Sequence, residues 1–331
     1  MKTLQSSIFT NIHHISYTKH INTNLISLPS SKKPSATKWA PAAHMSAPKK
    51  KIVVIMGPTG CGKTKLSIDL ASKAFPSSEI INSDKIQVYK GLDITTNKVP
   101  LSERNNVPHH LLGSFDSTES KPEFTASDFR SSASQTISNI TSDNKLPIIA
   151  GGSNSYVYAL LANKFNPSSD VFAESNSAFC RELRYECCFL WVDVSMPVLN
   201  QYIYKRVDDM LDLGMFEELS EYFKIVGPGR VGDIGLNKAI GVPEFERCFR
   251  GEADYEEAVR AVKDNSWELV KRQVEKTRRL REVAGWKMNR VDTTGSLRGK
   301  VAGVGRREAA DIWEREVLEP SVKIVKKFLM E

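Results

Sequence analysis

Hydrophobic positions follow two regimes along this chain. Between residues 51 and 194, short continuous apolar runs recur: Lys51–Met56 (K-I-V-V-I-M), Glu79–Ser83, Leu146–Ala150 and Cys187–Val194 (C-C-F-L-W-V-D-V). Runs of that length, apolar at successive positions and rich in β-branched residues, are expected of strands covered on both faces. His109–Phe115 is a further candidate strand. Between the runs, apolar residues recur at helical spacing. Lys63–Ala74 carries Leu66, Ile68, Leu70, Ala71 and Ala74 ahead of Pro76, and Lys121–Asp143 carries Phe124, Phe129, Ile137 and Ile140. Strands alternating with helices predict an α/β fold, a mostly parallel sheet flanked by helices. From Met196 onward the pattern is helical almost throughout, with breaks at Gly214, at Gly227-Pro228-Gly229 and at Gly251, and an amphipathic helix over Ala309–Leu329. Pro167–Asn176 reads as a surface loop.

Charge divides the chain differently. Residues 1–47 hold five lysines, thirteen Ser or Thr, no arginine and no acid; the first acidic residue is Asp69. A hydroxyl-rich, acid-free, weakly basic leader of this kind predicts a transit peptide, and the missing arginine favours the plastid over the mitochondrion. A disordered tail with no address is the alternative. The expected organisation is a leader over 1–47, a catalytic domain over 48–290 and a helical extension of that domain over 291–331. The whole chain carries a formal +7, and without the five leader lysines the balance is 41 minus 39, or +2. So neutral a mature domain has no global electrostatic reason to seek nucleic acid. No apolar run approaches the roughly 18 residues of a membrane span, so no membrane association is expected. The five cysteines are irregularly spaced and read as free thiols. No histidine follows His110, which excludes a Cys2His2 zinc finger beyond it. His109 and His110 are adjacent on a candidate strand and so point to opposite faces, which argues for structural roles over joint chelation.

Gly57–Thr64 reads G-P-T-G-C-G-K-T and satisfies G-x-x-x-x-G-K-[ST] between a buried strand and a helix. Gly57, Gly60 and Gly62 let the backbone curl, so that N–H groups from Gly57 through Pro58's neighbour Thr59 to Cys61 can turn inward at phosphate oxygens. The following helix adds the positive end of its dipole. Lys63 supplies a point charge, and the Thr64 hydroxyl can ligate magnesium bridging the phosphates. The context predicts a P-loop NTPase-like sheet with a mostly helical C-terminal half. Asp84 and Asp193, each closing an apolar run, are candidates for a second acidic magnesium partner.

Longer motifs are more specific. Glu79–Pro100 (E-I-I-N-S-D-K-I-Q-V-Y-K-G-L-D-I-T-T-N-K-V-P), Pro108–Leu112 (P-H-H-L-L), Phe124–Arg130 (F-T-A-S-D-F-R) and Pro147–Tyr156 (P-I-I-A-G-G-S-N-S-Y) follow the phosphate loop in order. Arg206–Gly214 (R-V-D-D-M-L-D-L-G), Lys238–Phe245 (K-A-I-G-V-P-E-F) and Val270–Leu280 (V-K-R-Q-V-E-K-T-R-R-L) continue the series. From Lys51 to about Arg290 the chain resembles the isopentenyltransferase family, which joins tRNA dimethylallyltransferases with the adenylate enzymes of cytokinin synthesis. The resemblance implies that the loop holds the diphosphate of dimethylallyl diphosphate, with Lys63 and Mg2+ at Thr64 neutralising the leaving group. It implies that Asp84 takes the proton from the adenine N6 amine and that Thr59 places the reacting centre. An N-cap or magnesium-ligand role for Asp84 stays open at this level. Ser83, Ser153 and Asn154 are expected at the same mouth, the last two with a turn or cap role as the alternative. Lys238 and Arg272 are expected near phosphate. The basic cluster around Arg272 (Lys271, Lys276, Arg278, Arg279, Arg281) equally fits a solvated helix face paired with Glu268, Glu275 and Glu282.

Three features favour a free adenine nucleotide (ATP, ADP or AMP) as acceptor over tRNA. Only Phe165–Glu186 stands where the tRNA enzymes carry a sizeable helical insertion, the late zinc finger is excluded, and the mature charge is nearly neutral. The leader and K-A-I-G-V-P-E-F resemble the plant type, whose members tend toward ADP and ATP. A tRNA dimethylallyltransferase is the alternative; a small-molecule kinase or a non-catalytic nucleotide-binding regulator would explain the loop and leave the other motifs unexplained.

Overall fold

The computed structural model describes residues 48–118, 120–173, 179–227 and 234–331, which form one compact unit. The expected leader therefore lies outside the described residues, as do residues 174–176 of the expected surface loop and Pro228-Gly229 of the expected helix break.

Four mainly apolar segments and the His-His pair become parallel strands: β1 (Lys51–Met56), β2 (Ser78–Asn82), β3 (His109–His110), β4 (Leu146–Ala150) and β5 (Glu186–Asp193). A sixth, β6 (Met288–Asp292), completes the order β3-β2-β4-β1-β5-β6, with every neighbouring pair parallel. Two-sided burial explains the unbroken apolar run of β1. Ile52, Val54 and Met56 pack with α2 (Ala126–Ser142) and α3 (Asn154–Leu161), while Val53 and Ile55 pack with α1 (Lys63–Asp69) and the C-terminal helices. Each such side chain, fully withdrawn from water, contributes about 1.5–3 kcal/mol. A third apolar cluster joins α4 (Met196–Asp212), α5 (Met215–Val226), α6 (Val242–Phe249) and the first half of the 28-residue α7 (Tyr255–Glu282) into a helical lobe.

Three expectations are corrected. The region after Met196 is helical almost throughout, as expected, but it also holds a strand: β6 is an edge strand in which only Val291 is buried, so its sequence lacks an apolar run. The strand expected over His109–Phe115 stops at His110, because Leu111 and Gly113 take left-handed backbone angles (φ 57° and 62°). The helix expected from Lys121 starts at Ala126, where Thr125 and Asp128 form a reciprocal capping box. The helix expected over Ala309–Leu329 runs unbroken from Arg306 to Met330, as α9 (Arg306–Trp313), a π-helical turn over Glu314–Leu318 and α10 (Glu319–Met330); α8 (Thr294–Ala302) precedes it. Pro320 sits in the first turn of α10 and cannot donate an amide to the preceding turn, which accounts for the change of pitch.

Candidate active site at the phosphate loop

The carboxyl ends of β1, β2 and β4 lie side by side, the place where parallel α/β sheets bind ligands. The phosphate loop leaves β1, Asp84 follows β2, and Gly151–Ser153 follows β4. Gly57 turns the loop off the strand: its φ is +151° and a Cβ there would stand 2.3 Å from the Val192 carbonyl oxygen, so no side chain fits. Lys63 is buried and its Nζ donates to the Pro58 carbonyl at 2.6 Å, folding the ammonium back inside the curl. Thr64 is exposed on the first turn of α1. Cys61 is buried behind the loop, and burial pushes its thiol up, the Lys63 ammonium only partly offsetting this. It therefore stays a protonated packing group.

Asp84 is half-buried. Its Oδ1 accepts the backbone amides of Ile86 and Gln87 at 2.9 and 3.2 Å, so one carboxylate oxygen fixes the turn that follows β2. The N-cap alternative is thus real for one oxygen only. Beside it stands Arg206, from α4. Arg206 Nη1 donates to Thr59 Oγ1 at 2.7 Å. Burial draws the Arg206 pKa below its ordinary value, while the charges of Tyr202 and Asp84 oppose that shift. The guanidinium stays charged; it is bonded to the loop threonine and feels the Asp84 carboxylate through its charge.

Gln273, in the second half of α7, closes the other side. Its Oε1 accepts the Thr59 amide at 2.7 Å and its Nε2 donates to the Gly152 carbonyl at 3.1 Å. Asn154 Nδ2 donates to the Gln273 carbonyl at 3.1 Å, and the Thr277 hydroxyl lies 3.2 Å from Asn154 Oδ1. One buried glutamine thereby fixes the spacing between the loops after β1 and β4.

Of the residues expected at this mouth, Thr59, Lys63 and Asp84 are brought together. Ser83 is fully buried and its hydroxyl has no hydrogen-bond partner among the described residues. Ser153 caps α3, accepting from the Tyr156 amide at 3.5 Å, and Asn154 is buried as a tie to α7. Lys238 donates to Glu123 at 2.8 Å; that bond, with one from the Gly235 amide, holds the Glu123 carboxyl below its usual value. Glu123 adjoins Phe124, whose amide donates to Tyr89 Oη at 2.8 Å and whose carbonyl accepts from Tyr156 Oη. Arg272 is exposed on α7. Arg278 pairs with Glu275 and Glu282 at 2.8 and 2.9 Å, and Lys271 pairs with Glu268, as a solvated face would. Asp193 pairs with Arg290 at 2.6 Å. His109 and His110 face different partners, Val107 and Glu79.

Sequence reading missed Arg206, Gln273 and Thr277 as site residues, although each lies inside a quoted motif. Arg206 and Gln273 sit at helical positions among charged neighbours, and nothing in the local pattern turns either toward the phosphate loop.

Magnesium is a hard cation that keeps few protein ligands when phosphates supply the rest. Among the described residues no cluster of three or more His, Cys, Asp or Glu could hold a metal. The Thr64 hydroxyl at the mouth of the curl fits an ion that arrives with a diphosphate.

The IPP transferase family model matches residues 87–179 and 166–279. Over 298 residues the chain is 50% identical to adenylate isopentenyltransferase 1, chloroplastic, of Arabidopsis thaliana, covering 86% of this chain and 82% of that protein. It is also 50% identical over 300 residues to the adenylate isopentenyltransferase of Humulus lupulus, covering 84% and 90%. Among solved structures, a eukaryotic dimethylallyltransferase acting on tRNA superposes with a TM-score of 0.70 at 24% identity, covering 85% of this chain and 80% of that one, a likeness of fold. The Staphylococcus epidermidis tRNA isopentenylpyrophosphate transferase gives a TM-score of 0.64 at 25% identity, over 77% and 98%. With the phosphate loop, the carboxylate after β2 and the spanning Arg206 and Gln273 in place, the chain belongs to the IPP transferase family.

Proposed function

We propose that this chain transfers the dimethylallyl group of dimethylallyl diphosphate to N6 of the adenine in a free nucleotide, the entry reaction of cytokinin synthesis. The observation that carries this reading is the Arg206 guanidinium, which joins the phosphate-loop Thr59 to the neighbourhood of Asp84. A leaving diphosphate in the curl and an attacking amine at the carboxylate would then stand on either side of one centre.

The bond from allylic C1 to the diphosphate oxygen breaks as the bond from C1 to N6 forms, and the N6 proton leaves to Asp84. An exocyclic aromatic amine is a poor nucleophile, because its lone pair is delocalised into the ring. A carboxylate accepting its hydrogen raises the electron density on nitrogen. Oδ1 of Asp84 is already held by two amides, so Oδ2 is the atom assigned to the amine. Lys63, freed from the Pro58 carbonyl, and the loop amides neutralise charge growing on the diphosphate. Thr64 would hold Mg2+ against the same oxygens, and the ion supplies further charge neutralisation there. Lys238 and Arg272 are assigned to the phosphates at the outer rim.

A free nucleotide is preferred to tRNA because the segment between α3 and β5 is short and the mature domain is nearly neutral. Residues 1–47 are assigned to plastid import, on their composition and on the chloroplastic label of several relatives. The test is to incubate residues 49–331 with dimethylallyl diphosphate, magnesium and, separately, AMP, ADP, ATP or unmodified tRNA, reading products by mass spectrometry. Prenylated mononucleotide is expected. Product on tRNA alone would overturn the acceptor assignment, and γ-phosphate transfer without prenyl product would overturn the reaction.

A further inference from the structure

The phosphate loop is held from behind by residues that the family model does not reach, since its match ends at residue 279. Two contacts do this. The first comes from Thr293, fully buried between β6 and α8. Its Oγ1 lies 3.1 Å from the Cys61 carbonyl and 3.2 Å from the Asp193 carbonyl. Its single hydroxyl proton is thus shared between the loop and the end of β5.

The second comes from Trp313, the last residue of α9, which is 2% exposed. The indole Nε1 donates to Asp69 Oδ2 at 2.8 Å, at the far end of α1. The six-membered ring faces the near end: a Cβ on Gly62 would meet Trp313 ring carbons at 3.2 Å. Gly62 is the N-cap of α1 and takes a left-handed φ of +98°, so backbone conformation and close approach both demand glycine there. One indole therefore touches both ends of the helix whose dipole and amides face the phosphate. Lys65 and Lys73 add ion pairs to Asp69 at 2.5 and 3.2 Å, and Lys65 also lies over the Trp313 ring. Lys73, just beyond α1, also pairs with Glu314 at 3.8 Å, so charge as well as the indole ties this end of the helix to the C-terminal segment.

We infer that Thr293 and Trp313 are positioning residues for diphosphate capture: the C-terminal segment sets the curvature of the phosphate loop from outside the motif. A loop whose amides are already aimed at the ligand need not be reordered on binding, so loosening it is read as weaker diphosphate binding. The inference rests on the proposed function only for the identity of the donor.

The experiment uses residues 49–331 and measures magnesium diphosphate binding by calorimetry, KM for dimethylallyl diphosphate and for ATP, and the thermal midpoint. Lys63→Ala serves as the control that removes the loop's cation. Thr293→Val removes one hydrogen bond and is expected to weaken diphosphate binding and raise the donor KM about three- to tenfold, with the ATP KM within about twofold. Thr293→Ser is expected to restore both, and Trp313→Leu to weaken diphosphate binding more than Thr293→Val does. Unchanged diphosphate affinity in Thr293→Val would overturn the inference, even if its thermal midpoint fell, because support would then be structural only; that variant decides the matter if Trp313→Leu does not fold. A wild-type protein that binds diphosphate but forms no prenyl product would instead overturn the proposed reaction and leave the positioning role to be judged on diphosphate binding.

Discussion

Gln273→Leu isolates the contact that sets the width of the active-site mouth. Leucine keeps the volume but removes the acceptor for the Thr59 amide and the donor to the Gly152 carbonyl, at 2.7 and 3.1 Å. Gln273 is 8% exposed, so water replaces those partners poorly. A net hydrogen bond is worth about 1 kcal/mol, so the two together are worth about 2 kcal/mol. If the bonds serve the reacting geometry, that converts to a loss of about 30-fold in kcat/KM for prenyl transfer. Gln273→Glu separates the two halves of the contact. It keeps an oxygen for the Thr59 amide but sets a carboxylate against the Gly152 carbonyl and near the proposed diphosphate site. It is expected to raise the donor KM more than Gln273→Leu does. The assay is initial-rate kinetics with each substrate varied in turn, alongside a denaturant midpoint for each variant. A Gln273→Leu enzyme within about threefold of wild type in kcat/KM would refute the spacing role, as would a loss fully explained by unfolding.

Asp84→Asn keeps the turn but removes the proposed base, and is expected to lower kcat by at least about 100-fold while magnesium diphosphate still binds, read by single-turnover product formation and calorimetry. Phe129→Ala deletes a fully buried ring stacked on Tyr156 at 4.6 Å and is expected to lower unfolding free energy by about 3–5 kcal/mol in a urea titration, with little change in KM for surviving enzyme. Burial works to raise the Glu79 carboxyl, but hydrogen bonds from Lys145 and His110 outweigh it and hold the group below its ordinary value. Glu79 therefore contributes stability that is present above the ordinary glutamate range and is lost as pH falls through its lowered folded value. Glu79→Gln is expected to flatten the acid limb of a thermal-midpoint profile below about pH 4.5, an unchanged profile counting against the pairing.

Much of the scaffold was legible because its signals are local. Buried parallel strands show as unbroken apolar runs, and four of the six strands fell within a residue or two of their expected bounds. β6 did not, because an edge strand that buries one side chain carries no such run. The π-helical turn between α9 and α10 was not legible either. Apolar spacing continues through it, and the proline that changes the pitch is compatible with a helix start. The phosphate loop and Asp84 were legible for the same reason as β1: each is a short contiguous segment whose chemistry is fixed by residue type and spacing. Ser83 is adjacent to Asp84 in sequence and Asn154 follows the Gly151–Ser153 turn, yet both are buried in the scaffold. A motif records which residues occur together, whereas exposure depends on what packs over them.

The sequence alone determined the strand–helix alternation, the phosphate-loop pattern, the acid that follows the second strand and the resemblance that joins them. Tertiary structure alone decided how these parts are held at working distance. Thr59 meets Arg206 and Gln273 across separations of 147 and 214 residues, Cys61 meets Thr293 across 232, and Asp69 meets Trp313 across 244. Local pattern fixes which face of a helix is apolar. The direction of a polar side chain on that helix is fixed by where distant elements dock, and docking is settled by the packing of the whole core.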